Sequence, residues 1–152
     1  MDDKKKKVRE MLSFLTTEHR RLLDEVVKLE EELEKNFSQD ILNAILDFIN
    51  VEIEKHSQLE EVDLDNLLQE AGIDFDIDAL NFGHQTLNEI GEHLEYLINL
   101  YKEGKKDYRG RDLSKEIIKT FKEYSTTLKD HFLEEENFFF PDILKYDLER
   151  FE

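Results

Sequence analysis

The sequence predicts an all-α protein in which four amphipathic helices form an up-down-up-down four-helix bundle. Only one proline and five glycines occur among its 152 residues, so long uninterrupted helices are expected. Apolar residues recur at steps of three and four along most of the chain, which is the spacing of one helix face. The connections between these segments are mostly short, which favours antiparallel neighbours, and residues 1–152 are predicted to form a single domain.

The first helix is predicted over residues 8–33, where the core-facing positions alternate in steps of four and three. These positions are Val8, Leu12, Leu15, His19, Leu22, Val26, Leu29 and Leu33. Because the other members of this row are aliphatic, His19 is expected to point into the bundle.

The second helix is predicted to follow Ser38, whose hydroxyl group can cap it. One stripe of this helix consists of Leu42, Ile45, Ile49, Ile53, His56 and Glu60. The two polar members, His56 and Glu60, are therefore expected on the core side. The residues past Glu60 either continue the helix or bend it, Gly72 is expected to stop it, and residues 72–78 are read as a connection.

The third helix is predicted from about residue 80 to residue 101. Its apolar side consists of Leu80, Leu87, Leu94, Ile98 and Tyr101. A charged segment with two glycines, residues 102–111, follows and is predicted to be a loop.

The fourth helix is predicted to start with Ser114 as its cap. Its stripe consists of Ile117, Phe121, Tyr124, Leu128, His131, Glu135 and Phe138. Pro141 is expected to end or kink this helix, because proline lacks the amide N–H that a helix interior needs.

The charge and the cysteine content exclude several classes of function. A net charge of -17 argues against nucleic acid as a partner, because phosphate binding needs a basic surface. The chain has no cysteine, so any metal must be held by His, Asp or Glu. No apolar run reaches the length of a signal peptide or a membrane span, and the protein is expected to be soluble and cytoplasmic, without membrane association.

Two His-x3-Glu pairs, His56 with Glu60 and His131 with Glu135, indicate a metal site. Residues four apart share a helix face, about 6 Å apart, so each imidazole and carboxylate point the same way. Each half of the chain reads as a helix with a lone histidine followed by a helix with such a pair, which suggests an internal duplication. Burying these groups without partners costs several kcal/mol per charged group, and a bound metal offsets that cost.

The lone histidine of the second half is His84 or His93, and depth in the bundle favours His84. His131 lies 17 residues beyond Ser114, and His84 lies 17 residues before Tyr101, so these two histidines are expected at one level of antiparallel helices. His93 is nine residues later, which is about 13 Å along the helix axis. The helical wheel does not separate the two, because both lie at the edge of the apolar face.

The predicted metal ligands are four imidazoles and two carboxylates, without thiolate, which suit two non-haem irons (Fe2+/Fe3+) better than structural zinc. They are His19, His56, Glu60, His84, His131 and Glu135. Each iron is expected to take two histidines, His19 with His56 and His84 with His131, while the two glutamates bridge the metals. Positions then remain open for a small ligand or for an oxo or hydroxo bridge.

The sequence resembles the hemerythrin-like (HHE cation-binding) family over nearly its whole length. The matching residues are Glu18-His19, His56-x3-Glu60, His84, His131-x3-Glu135 and the trailing Phe140-Pro141. The resemblance implies a hemerythrin-like four-helix bundle with a di-iron centre that binds oxygen or reacts with related species such as nitric oxide and peroxide.

The pattern departs from that of oxygen-carrying hemerythrins at two positions. Those proteins have a second third-helix histidine where this chain has Asn88, and they usually supply an Asp from the fourth helix at wider spacing, whereas this chain has Glu135. The pattern is more similar to the four-His, two-Glu members, which include iron-sulphur-centre repair proteins and iron-sensing domains. Glu89, Glu92 and His93 are left open as sources of an additional ligand.

Three functional hypotheses follow. The leading one is a di-iron protein that binds or senses O2 or NO, with catalysis and a redox partner protein left open. The first rival is an iron-handling or iron-sulphur-centre repair protein that uses the same centre. The second rival is a metal-free or zinc-loaded helical interaction module.

Overall fold

The structure is a computed structural model that describes residues 3–149, and in this range the chain forms four long helices. Helix α1 is Asp3–Lys35, α2 covers residues 39–70, α3 is Asp78–Lys102 and α4 covers residues 113–149. The predicted all-α four-helix bundle is confirmed. The single-domain prediction extends to residues 1–2 and 150–152, which lie outside the described residues.

Helices α2 and α4 contain π-helical stretches, in which backbone hydrogen bonds reach five residues rather than four. In α2, the α-helical segments Gln39–Asp47, Glu54–Gln58 and Asp65–Glu70 alternate with the π-helical segments Phe48–Ile53 and Leu59–Leu64. In α4, Leu113–Glu134 is α-helical, Glu135–Phe139 is π-helical and Phe140–Glu149 is α-helical. Both core-facing glutamates, Glu60 and Glu135, therefore lie in π-helical turns, which are frequent at functional sites.

The two ends of α2 are capped as the sequence predicts. The Oγ atom of Ser38 accepts a hydrogen bond from the backbone N–H of Ile41 at 3.4 Å. At the other end Gly72 has a φ of 71°, and the N–H of Ile73 bonds the carbonyl of Leu68 at 2.9 Å. This is a Schellman motif, in which glycine adopts a left-handed conformation without a steric penalty.

The predicted cap of α4 is wrong. Asp112, not Ser114, is the capping residue, and its Oδ1 atom accepts hydrogen bonds from the N–H and the hydroxyl group of Ser114 at 3.0 and 2.8 Å. A carboxylate two residues earlier already satisfies the first free amide of the helix, so α4 begins at Leu113.

The segment predicted to be a plain loop contains a short β-hairpin. Strands β1, Asp107–Tyr108, and β2, Arg111–Asp112, pair antiparallel. Arg109 and Gly110 form the two-residue turn, with φ of 51° and 78°, and two positive φ angles are characteristic of the turn that matches the twist of a hairpin.

One expectation at the end of α4 is wrong, because the helix changes its hydrogen-bond pattern there. Phe138 was expected on the buried stripe, but 64% of it is exposed, whereas Phe140 is buried. The π-helical turn Glu135–Phe139 moves the following residues around the axis, so the regular spacing no longer holds. Pro141 was expected to end or kink the helix. It does not end the helix, which continues to Glu149, and the helix changes from π-helical to α-helical hydrogen bonding at Phe140, directly before this proline.

Each helix packs against its neighbours in chain order, and α4 packs back against α1. The core consists of two clusters of buried apolar residues at different levels of the bundle. The larger cluster includes Leu22, Val26, Leu33, Leu42, Ile45, Leu87, Leu94, Ile117, Phe121 and Tyr124. The smaller one includes Val8, Leu12, Leu15, Leu64, Leu68, Leu80, Phe140 and Ile143. In every helix the chain passes from one cluster to the other across a polar level, which is where the predicted ligands lie.

None of the described helices is both long enough and apolar enough to cross a membrane.

Candidate metal centre

Six polar side chains, at most 5% exposed, meet between the two apolar clusters. They are His19 from α1, His56 and Glu60 from α2, His84 from α3, and His131 and Glu135 from α4. We call these six residues the His/Glu cluster. The structure thus brings together every ligand that the sequence predicts.

The His/Glu cluster divides into two groups that share both carboxylates. The first histidine pair is His19 with His56, and the second is His84 with His131. With Glu60 and Glu135, each pair offers four ligand atoms that all lie within 4.8 Å of one another. The ring centroids are 4.9 Å apart in both pairs, so the two halves of the chain build equivalent groups.

Each carboxylate directs one oxygen towards each histidine pair. Glu135 Oε1 lies 2.9 Å from Nε2 of His19, and Glu135 Oε2 lies 2.7 Å from Nε2 of His131. Glu60 Oε1 lies 2.5 Å from Nε2 of His56, and Glu60 Oε2 lies 3.3 Å from Nε2 of His84. A carboxylate in this position can hold two metal ions at once.

The unsatisfied atoms of the His/Glu cluster fit a metal ion. Within residues 3–149, no hydrogen bond is formed by Nε2 of the four histidines or by either oxygen of Glu60 and Glu135. Such buried polar atoms are costly unless something binds them. Imidazole nitrogens and carboxylate oxygens are suitable ligands for iron, so the donor set satisfies the requirements of a bound cation.

The electrostatics of the two carboxylates also favours a cation. Burial, with the nearby charge of Glu60, raises the pKa of Glu135 well above its usual value. Burial acts in the same direction on Glu60, but contacts with Glu135 and with the imidazoles outweigh it and hold the pKa of Glu60 well below its usual value. The two carboxylates therefore differ in proton affinity, and without a cation the site favours one proton between them.

The pKa values of the two histidines of the second pair are shifted in opposite directions. Burial and the neighbouring imidazole of His84 lower the pKa of His131 to about 4. Burial also disfavours the charged form of His84, but Glu60 and Glu61 outweigh it and raise the pKa of His84. His131 is thus held neutral, which is the form of histidine that binds metals.

Aromatic rings enclose the first histidine pair. The ring of His19 stacks on Phe132, with centroids 3.9 Å apart, and is nearly parallel to Phe140 at 5.9 Å. Phe132 also meets His56 edge-on at 5.3 Å. These rings restrict the rotation of the histidines and make the surroundings of the site apolar, which limits the access of solvent.

Sequence reasoning missed two glutamates outside the His/Glu cluster. Glu136 Oε2 lies 2.8 Å from Nδ1 of His19, and Glu61 Oε1 lies 2.8 Å from Nδ1 of His84. Each directly follows a core-facing glutamate, so both halves contain the same sequence, His-x3-Glu-Glu. That repeated second glutamate was the available signal.

Gly83 was also missed, and it makes room for a histidine. A Cβ atom at this position would lie 2.2 Å from Nδ1 and 2.4 Å from Cε1 of His131. Real Cβ atoms essentially never approach another atom this closely, so His131 can occupy its position only beside glycine. The signal was a glycine inside a helix, directly before His84, where glycine lowers helix stability.

The other candidate residues of α3 lie outside the His/Glu cluster. His93 is exposed, and its ring lies 6.5 Å from that of Tyr96 and 5.8 Å from that of Tyr108 in the hairpin. Glu89 and Glu92 are exposed as well, as is Asn88. In the described chain, none of these four side chains belongs to either group of ligand atoms.

The choice of His84 over His93 gives the first testable prediction. His84→Ala should lose at least one metal ion per chain, because Nε2 of His84 faces Glu60 inside the cluster. His93→Ala should keep the full metal content, because His93 is exposed. Metal analysis of both purified variants measures this, and metal loss from His93→Ala alone would contradict the assignment.

A model of the protein family described as the hemerythrin HHE cation binding domain matches residues 10–143 of the chain. The matched region contains the whole His/Glu cluster, and together they indicate a metal-binding site. No curated protein and no solved structure shows a significant match to the chain.

Proposed function

The chain belongs to the hemerythrin HHE cation-binding domain family, and we propose on this premise that it is a non-haem di-iron protein that binds or senses O2, NO or peroxide. The observation that carries the proposal is the sharing of Glu60 and Glu135 between two equivalent histidine pairs. One ion would be held by His19 and His56 and the other by His84 and His131. The two carboxylates would bridge them.

The His/Glu cluster offers each ion two nitrogens and two carboxylate oxygens. Iron accepts more ligands than these four, so positions stay free for a small molecule. Two irons in this site would supply Fe2+/Fe3+ redox chemistry. The surrounding phenylalanine rings limit water, and Nε2 of every histidine faces the carboxylates rather than solvent.

Iron handling or iron-sulphur-centre repair is the second candidate, and the position of Asn88 favours it. Oxygen-carrying hemerythrins have a histidine at this position, whereas Asn88 is exposed and has no imidazole. The two ions would then have equal numbers of histidines. Such a centre would hold iron without being adapted to carry oxygen reversibly.

Iron analysis and an absorption spectrum test the proposal. The protein is purified under reducing, iron-replete conditions, and we expect two irons per chain with the charge-transfer absorption of ferric iron after oxidation. Less than about one iron per chain would contradict both iron functions, because both require a folded site that binds iron when iron is abundant. Stoichiometric zinc in place of iron would favour the helical interaction module.

Exposure of the reduced protein to O2 and to NO separates the first candidate from the second. A spectral change that reverses when the gas is removed supports binding or sensing. Rapid irreversible oxidation by O2, without response to NO, favours iron handling. A redox partner protein, a single domain over residues 1–152 and a cytoplasmic location stay predictions.

A further inference from the structure

We propose that Glu61 and Glu136 are positioning residues, and that each orients a ligand histidine belonging to the opposite half of the chain. Glu136 orients His19, and Glu61 orients His84. The part of this inference that concerns iron rests on the proposed function. The part that concerns the histidines themselves holds for the metal-free protein.

The two contacts are equivalent in geometry. Both join a carboxylate oxygen to Nδ1 of a buried histidine at 2.8 Å. In both, the opposite nitrogen of the ring, Nε2, lies among the carboxylate oxygens of the His/Glu cluster. The side chains of Glu61 and Glu136 are 33% and 31% exposed, so each buried histidine connects the His/Glu cluster to a carboxylate that is partly exposed to solvent.

A carboxylate at Nδ1 decides which nitrogen of the ring carries the proton. The neutral imidazole donates its Nδ1–H to the carboxylate, and Nε2 then presents its lone pair to the cluster. The hydrogen bond also stops rotation of the ring. A negative charge at this distance makes the histidine a stronger ligand, as in carboxylate–histidine–metal arrangements.

Within residues 3–149, neither of the other two histidines has such a carboxylate partner at Nδ1. Nδ1 of His56 is buried and forms no hydrogen bond within the described chain. Nδ1 of His131 lies beside Gly83, where the absence of a side chain leaves room for the ring. Each histidine pair therefore contains one imidazole ring whose orientation is held by a carboxylate and one whose orientation is held by packing.

The arrangement is crossed between the halves. Glu61 belongs to α2 and reaches His84 on α3, while Glu136 belongs to α4 and reaches His19 on α1. Consecutive residues of a helical turn point in different directions around the axis, so one glutamate of each Glu-Glu pair enters the cluster while the next reaches the adjacent helix. The sequence His-x3-Glu-Glu thus supplies a ligand, a bridging carboxylate and a positioning carboxylate for the other half.

Histidine NMR of the metal-free protein at alkaline pH tests the orientation directly. In the wild type, His19 and His84 should carry their proton on Nδ1. Glu136→Ala should change the tautomer of His19 alone, and Glu61→Ala that of His84 alone. Unchanged tautomers in folded variants would overturn the proposal, and this outcome does not depend on whether the protein takes iron.

Titration with Zn2+, a redox-silent probe, tests the crossed assignment. Glu136→Ala should weaken Zn2+ binding at the His19 and His56 signals by about 10- to 100-fold and leave the other pair unchanged. Glu61→Ala should do the reverse. Equal weakening of both pairs, or weakening of the pair in the same half as the mutated glutamate, would overturn the crossed assignment.

Conservative variants and surface controls complete the experiment. Glu136→Gln and Glu61→Gln keep an acceptor oxygen, so the tautomer should be retained while the loss of charge weakens Zn2+ binding by less than the alanine variants do. If the alanine variants fail to fold, the glutamine variants are used for the Zn2+ titration instead. Zn2+ binding by the glutamine variants equal to that of the wild type would then contradict the proposal. Glu134→Ala and Asp63→Ala remove exposed acids from the same helices and should change neither measurement.

Discussion

Glu135→Gln is expected to abolish binding of both metal ions while leaving the metal-free fold intact. The two oxygens of Glu135 face different histidine pairs, at 2.9 Å from Nε2 of His19 and 2.7 Å from Nε2 of His131. A neutral amide cannot bridge two cations as a carboxylate does. The metal-free protein should tolerate the change, because burial beside Glu60 raises the pKa of Glu135 and the fold already favours its protonated, neutral form.

Metal analysis after iron-replete expression and thermal unfolding after chelation measure these two effects. Glu134→Gln is the matched control, since it alters the preceding, exposed glutamate of the same helix. It should retain both ions. If Glu135→Gln keeps either ion at wild-type affinity, the bridging assignment is wrong; if it loses the ions only because the metal-free protein unfolds, the carboxylate has a structural role instead.

The helices were predictable from the sequence because periodicity reports burial directly. Every position of the predicted row in α1, from Val8 to Leu33, is buried.

The ends of α4 were not predictable by the same means. Ser114 and Asp112 are both capable caps, and only the backbone geometry decides between them. Phe138 lies outside the core because a π-helical turn interrupts the α-helical spacing, and such turns leave no clear mark on a single sequence.

The convergence of the six predicted ligands was predictable, whereas their surroundings were not. His84 could be chosen over His93 because depth along antiparallel helices depends only on residue counting. The roles of Glu61 and Glu136 depend on which side chain reaches which neighbouring helix. That information comes from helix packing, since an exposed helix face carries many glutamates that contact nothing.

Gly83→Ala is expected to displace His131 and to lose the ion of the second histidine pair. The added Cβ atom would lie 2.2 Å from Nδ1 of His131, and this imidazole cannot move aside without leaving Glu135. Overpacking of this kind costs about 1–3 kcal/mol, which outweighs the gain in helix propensity of about 1 kcal/mol from replacing glycine by alanine. The variant should therefore have a lower unfolding temperature as well as less metal.

Gly91→Ala is the matched control for this prediction, because it places the same methyl group in the same helix away from the His/Glu cluster. Its Cβ atom would lie 3.6 Å from Cε2 of Tyr124, an ordinary van der Waals contact, and 3.2 Å from Cγ2 of Ile49, a tight contact that a small shift of the Ile49 side chain relieves. Gly91→Ala should keep the wild-type metal content and a stability within about 1 kcal/mol of the wild type. Metal content and unfolding temperature are measured on both variants. If Gly83→Ala keeps the metal content and the stability of Gly91→Ala, then the position of His131 does not depend on the glycine at position 83.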